Sequence, residues 1–176
     1  MAWLYYALYA VVAFDIVFIA FAFFTIVTLI FTRVPFVRSP KKNVEIALDE
    51  LKLKAGSKIF DLGCGDGNVL FLAEKMGYRA VGYELSPYPY LKARMNKFIT
   101  GSRVDISRSN FFRADLSPAD CVFLFLIDSI MEKVGRKLKA NLRPGTPVVS
   151  YGFKIHGWQP VKILDTQPSK VYIYKS

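Results

Sequence analysis

The sequence is poor in cysteine and histidine, and its first 32 residues are almost free of charge. Cys64 and Cys121 are the only cysteines in 176 residues, which leaves neither a disulfide framework nor a metal-ligand spacing. Both fall in stretches that read as buried, where a thiol acts as a small apolar filler, and a reducing compartment fits. His156, the single histidine, falls in a stretch that reads as loop and is expected to be a solvated bystander. Neither an internal repeat nor a low-complexity tract is present.

From Met1 to Thr32 the one charged side chain is Asp15, in a run rich in Phe, Ile, Val, Ala and Leu, and all 24 lysines and arginines come later. No basic residue precedes the run and no small-x-small site stands near its end, which argues against a cleaved signal peptide. A bilayer core about 30 Å thick needs roughly 20 helical residues. Residues 1–32 are therefore expected to form a retained transmembrane helix. Counting back about 20 residues from Arg33 puts Asp15 near the far interface, where a carboxylate costs less than at mid-bilayer. Trp3, Tyr5, Tyr6 and Tyr9 then form an aromatic belt. The alternative is an Asp15 that pairs with a partner helix inside the membrane. Arg33, Arg38, Lys41 and Lys42 follow the span, so the positive-inside rule puts the remainder in the cytoplasm, or on the matrix side in an organelle. The same cluster can hold the domain against anionic headgroups, at about 1 kcal/mol per charge.

The rest of the chain is organised around Lys58-Ile59-Phe60-Asp61-Leu62-Gly63-Cys64-Gly65-Asp66-Gly67. It reads as a buried strand, a turn and a helix start. Glycines at every second position let a backbone pass close to a ligand, and a helix N-terminus offers free N–H groups there. The pattern is G-x-G-x-G, which departs from the dinucleotide G-x-G-x-x-G. Asp61 directly before the loop would repel a pyrophosphate and suits a ligand carrying an ammonium or sulfonium.

Taken in order, Val34-Pro35-Phe36-Val37-Arg38-Ser39-Pro40 is extended, and Val44, Ala47, Leu48 and Leu51 mark a helix closed near Gly56. A helix follows the glycine loop as far as Gly77. The second strand, Arg79–Leu85, ends in Glu84, at a separation from the loop that places a carboxylate beside a ribose diol. Ser86-Pro87 opens a helix carrying Lys92, Arg94 and Lys97, and Val104–Ser109 reads as the third strand. Little helix fits between Phe112 and Asp120. Cys121–Leu126 reads as a central strand covered on both faces. Asp128 or Ser129 is placed to cap a helix over Ile130–Asn141, and Pro147–Tyr151 is the fifth strand. Val161–Leu164 and Val171–Tyr174 read as a terminal hairpin. The fold expected is α/β: a three-layer Rossmann-like sandwich with an antiparallel edge strand, behind one transmembrane helix. The expected division is an anchor over 1–32, a basic juxtamembrane segment and leading helix over 33–57, and a catalytic domain over 58–176.

Asp61-Leu62-Gly63-Cys64-Gly65-Asp66-Gly67 resembles the first motif of class I S-adenosylmethionine (SAM) dependent methyltransferases. The resemblance implies that Asp61, Gly63, Gly65 and Gly67 hold the methionine part of SAM, Glu84 the ribose, and Asn110 with Phe111 the adenine. A narrower likeness covers nearly the whole chain. An apolar helix, Val-Pro-Phe-Val with a nearby Ser-Pro, Val-Gly-Tyr-Glu-Leu-Ser-Pro, Asn-Phe-Phe and Gly-Trp-x-Pro resemble the membrane-anchored protein-lysine methyltransferases that modify the ATP synthase c-subunit and the adenine nucleotide translocase. Arg38-Ser39-Pro40 stands where a Pro-Thr-Pro type segment is expected, so no binding role passes to Ser39. The partners implied are the lipid bilayer and a lysine-bearing membrane protein. Asp128, after strand four, is a candidate acceptor for the substrate nitrogen, and Tyr151, with Phe153 and Trp158, a candidate wall of the lysine channel. The basic domain keeps an RNA methyltransferase open as an alternative, although no Asn-Pro-Pro-Tyr type base clamp is present. A small-molecule or lipid methyltransferase is a further one.

Overall fold

The structure, a computed structural model, describes residues 2–32 and 38–176. The expectations placed on Arg33 and on Val34-Pro35-Phe36-Val37 lie outside the described residues. Helix α1 (Ala2–Thr32) is apolar on every side. From Trp3 to Ala20 its side chains are exposed; Phe21, Ala22, Thr25 and Val27 are half-buried.

Helix α2 (Lys41–Leu51) stops where Lys52 adopts a left-handed conformation with φ 48°. Its apolar face, Val44, Ala47 and Leu48, is fully buried in the same core as strand residues Ile59 and Phe123. Asn43 Nδ2 donates to the Gln167 carbonyl at 2.9 Å and to the Tyr151 hydroxyl at 3.2 Å. The segment before the glycine loop is thus bonded to the far end of the chain and is part of the packed domain.

The strands and helices then alternate: β1 (Lys58–Leu62), α3 (Asn68–Lys75), β2 (Arg79–Glu84), α4 (Pro87–Thr100), β3 (Asp105–Arg108), β4 (Cys121–Leu124), α5 (Met131–Asn141), β5 (Pro147–Tyr151), β6 (Lys162–Leu164) and β7 (Val171–Lys175). They form one seven-stranded sheet in the order β3-β2-β1-β4-β5-β7-β6. β1 to β5 are parallel, and the terminal hairpin supplies the antiparallel edge, with β7 inserted between β5 and the outermost β6. Central strands β1 and β4 bury both faces, as their continuous apolar runs require. Ile59, Phe123, Val149 and Ile173 face the core under α2 and α3, whereas Phe60, Val122, Leu124 and Val148 face Met131, Val134 and Leu138 of α5.

The crossover from β3 to β4 holds only a 3-10 turn, Phe111–Arg113, in agreement with the short spacing in the sequence. β4 is shorter than its apolar run: pairing with β5 ends at Leu124 opposite Ser150, and Phe125 turns to meet the Tyr151 ring edge-on at 4.8 Å. Neither Asp128 nor Ser129 caps α5, because a 3-10 turn over Asp128–Ile130 intervenes and no side chain caps either element.

Gly82 shows how closely β2 approaches α3. A Cβ there would stand 2.5 Å from Leu70 Cδ1 and 2.6 Å from Cys64 Sγ. Overpacking of this kind costs about 1–3 kcal/mol. Gly82→Ala is expected to lower the Tm in a thermal melt, while Gly56→Ala, where a Cβ meets nothing within 4 Å, tests the backbone effect of its φ of +78° alone.

Candidate functional site

In a sheet of this order the loops at the C-terminal ends of the strands gather beside the point where the strand order reverses, here between β1 and β4. The loop after β1 is held in shape from two sides. Gly63 and Cys64 N–H both donate to the Tyr83 carbonyl, at 2.9 and 3.0 Å, and Gly67 N–H turns back to the Cys64 carbonyl. Gly63 and Gly67 have φ of +87° and +85°, and a Cβ on Gly67 would lie 2.7 Å from the Phe71 ring. Glycine is required at both.

Glu84 ends β2 and is buried. One carboxylate oxygen accepts from Gly65 N–H at 2.9 Å and the other from Ser86 N–H at 2.7 Å. These bonds leave lone pairs on both oxygens that a vicinal diol can use. Asp61 is 3% exposed, and its carboxylate has no hydrogen-bond partner among the described residues. Burial, reinforced by the charge of Glu84, pushes its pKa up to about 8. Burial, with Asp61 and Glu84 nearby, also raises the Cys64 thiol well above its usual range, which makes it inert packing.

Segment 38–40 closes the loop from above, a feature the sequence did not reveal. Arg38 Nε donates to Asp66 Oδ2 at 2.7 Å, Arg38 Nη2 reaches the same oxygen, and Lys92 Nζ lies 3.8 Å from it. Asn68 Nδ2 donates to the Ser39 carbonyl at 2.9 Å, and Asn96 Nδ2 to the Asp66 carbonyl at 3.2 Å. Arg38, read above as a headgroup contact, is therefore engaged by a buried carboxylate instead. A narrow cleft is lined by Arg38, Ser39, Asp61, Gly63, Gly65 and Phe125, among others.

Asn110 and Phe111 stand at the end of β3. Asn110 Oδ1 accepts from Phe112 N–H at 3.0 Å, and Phe111 packs against the Phe112 ring with centroids 4.4 Å apart. Asn110 shares a neighbouring depression with Leu85, which follows Glu84 and is 40% exposed. Beyond β4, Asp128 Oδ1 lies 2.9 Å from His156 Nε2, and both side chains are exposed, the histidine in a turn as the sequence led one to expect. Tyr151 is buried, with its hydroxyl bonded by Asn43. Trp158 packs on the opposite face of the sheet, edge-on to Tyr174 at 6.1 Å, so Tyr151 and Trp158 do not wall one channel.

Comparisons with known proteins show the family. Residues 61–162 match the model of the ANTKMT methyltransferase domain. The chain belongs to that family. It is 36% identical over 151 residues to a protein-lysine N-methyltransferase of Saccharolobus islandicus, covering 81% of this chain and 93% of that protein. It is 33% identical over 145 residues to the mouse adenine nucleotide translocase lysine N-methyltransferase, covering 81% of this chain; the match spans 63% of the mouse protein, less than two thirds of its length. A crystal structure described as an RNA methyltransferase from Salinibacter ruber, in complex with S-adenosyl-L-homocysteine, matches with a TM-score of 0.75 and 34% identity over 79% of this chain and 93% of that one.

The methyltransferase is thus a SAM-dependent enzyme of class I fold, and its cleft fits the cofactor on its own chemistry. An unpaired buried carboxylate suits a cation, a second carboxylate with spare lone pairs suits a diol, and the backbone between them carries no Cβ at Gly63, Gly65 or Gly67. Below about pH 8 Asp61 holds a proton in the free protein, whereas a neighbouring cation favours its ionised form. SAM's own amino group has an ordinary pKa of about 7.7–8.0 and stays charged well below that. Calorimetry at pH 6.5 in buffers of different ionisation heat is expected to show about one proton released per SAM bound, with affinity falling about tenfold per pH unit on further acidification. Asp61→Asn should release none.

Proposed function

We propose that the enzyme is a protein-lysine N-methyltransferase that acts on membrane proteins, with α1 as its membrane anchor. The observation that carries this reading is the 36% identity extending over 93% of the archaeal protein-lysine N-methyltransferase. The mouse relative, named for a lysine of the adenine nucleotide translocase, supports a membrane protein as the substrate. Trp3–Val27 is long and apolar enough to cross a bilayer. An anchored enzyme meets a membrane-embedded substrate at high effective concentration. In this reading 1–32 is the anchor, and the part that begins at Arg38 works with 58–176 as one catalytic unit. The catalytic side faces the cytoplasm or the matrix, by the basic residues that follow the span.

In the same reading Asp61, Gly63, Gly65 and Gly67 receive the methionine moiety, Glu84 the ribose hydroxyls, and Asn110 and Phe111, with Leu85, the adenine. SAM, when bound, supplies a methyl group on sulfur that is open to in-line displacement by a lysine nitrogen. The protein's task is then alignment, an effect worth up to about 7–11 kcal/mol, and removal of a proton from an amine whose ordinary pKa is about 10.4. In this reading Asp128, beyond β4 and paired with His156, accepts a hydrogen bond from the ε-nitrogen. Tyr151 acts from behind, through its contact with Phe125, which lines the cleft.

The Salinibacter structure's description favours RNA as a second reading, and the net charge of +10 is compatible with it. Incubation with labelled SAM and host membranes distinguishes the two. Label on lysine in membrane protein is expected; label in RNA or lipid overturns the proposal. Glu84→Ala is expected to abolish SAM binding. Asp128→Ala should keep that binding and lower kcat by about 10²-fold, within the usual range for a positioned acid–base group.

A further inference from the structure

Helix α4 is packed inside out for a helix that covers a sheet. Its buried residues are Pro87, Pro89 and Ala93, all small, while the large apolar ones point away. Tyr88, Leu91, Met95 and Phe98 are 52, 57, 56 and 88% exposed, and Ile99 is 71% exposed. Their spacing of three and four residues aligns them in one stripe along the helix. A contiguous apolar stripe of this size on a folded domain marks a surface that meets another phase or another molecule.

We propose that α4 lies on the surface of an anionic bilayer, with Tyr88, Leu91, Met95 and Phe98 inserted among the acyl chains beside α1. The proposal rests on the reading of α1 as a membrane anchor. Three observations point to lipid as the occupant. The stripe is continuous with the anchor, because α1 touches α4 and the Arg108 guanidinium lies 5.2 Å over the Phe24 ring. The contact falls near the C-terminal end of the apolar run Trp3–Val27, so α4 meets α1 close to one face of the membrane. The charge is also of the right sign. α4 carries Lys92, Arg94 and Lys97 and no acidic residue, and Arg103 and Arg108 are exposed nearby.

The test uses the full chain in phosphatidylcholine vesicles containing phosphatidylglycerol, with an environment-sensitive fluorophore on one introduced cysteine at a time. Both native thiols are buried and do not compete. The positions are Phe14→Cys on α1, Phe98→Cys on α4 and Glu132→Cys, exposed on α5. Spin-labelled lipids are expected to quench positions 14 and 98 at least about threefold more than position 132, as insertion of an amphipathic helix requires. Omission of phosphatidylglycerol should reduce quenching at 98 and leave 14 unchanged; equal quenching at 98 in both vesicles overturns the anionic part. Quenching at 14 without quenching at 98 overturns the proposal and leaves the anchor standing. A dehydrated but unquenched probe at 98 means that protein covers the stripe, and also overturns it. No quenching at 14 overturns the anchor reading and this proposal with it.

Discussion

The two hydrogen bonds accepted by Glu84 are what the cofactor cleft depends on. A single carboxylate fixes Gly65 of one loop and Ser86 of the next, so the ends of β1 and β2 are positioned as one unit. Both of its oxygens are held by backbone N–H groups in a buried place, and its charge is part of why its neighbour Asp61 resists ionisation. A site in which one carboxylate is bonded to the backbone and the other opens onto the cleft is selective in the sense that matters here: an anion finds repulsion, and a cation with a hydroxylated arm finds both partners.

Where the determinants are local, the sequence displays them. Alternating glycines, an acid before the loop and another at the end of the second strand gave the cleft, since turn, strand and helix start follow from residues only a few positions apart. The doubly buried β1 and β4, the abbreviated crossover and the terminal hairpin were legible for the same reason. Contacts between distant residues were not. Arg38 beside a span reads as a headgroup contact, and only folding brings it to Asp66, 28 positions away. His156 meets Asp128 across another 28, where no motif marks the pairing. Tyr151 and Trp158 look alike as aromatic residues near strand five, yet the turn after Gly152 sends the second to the other face, where it packs against Gly135.

α4 is an intermediate case. Its period was in the sequence, but an amphipathic stripe reads by default as the core face of a helix. In the structure Pro89 and Ala93 face inward, and Leu91 and Phe98, on the other side of the helix, are exposed. Charged residues on such a helix are equally ambiguous: Lys92 lies close to a buried aspartate, while Arg94 stays outside.

The strap formed by Arg38 across Asp66 also acts as a leash. Six peptide steps separate Thr32, the last residue of α1, from Arg38, and even fully extended they reach no farther than about 22 Å. The edge of the cleft at Arg38 therefore stays within that radius of the end of α1. If α1 is rooted in a bilayer, height becomes a constraint on substrates: side chains just above the headgroups are in range, and those on distant domains are not.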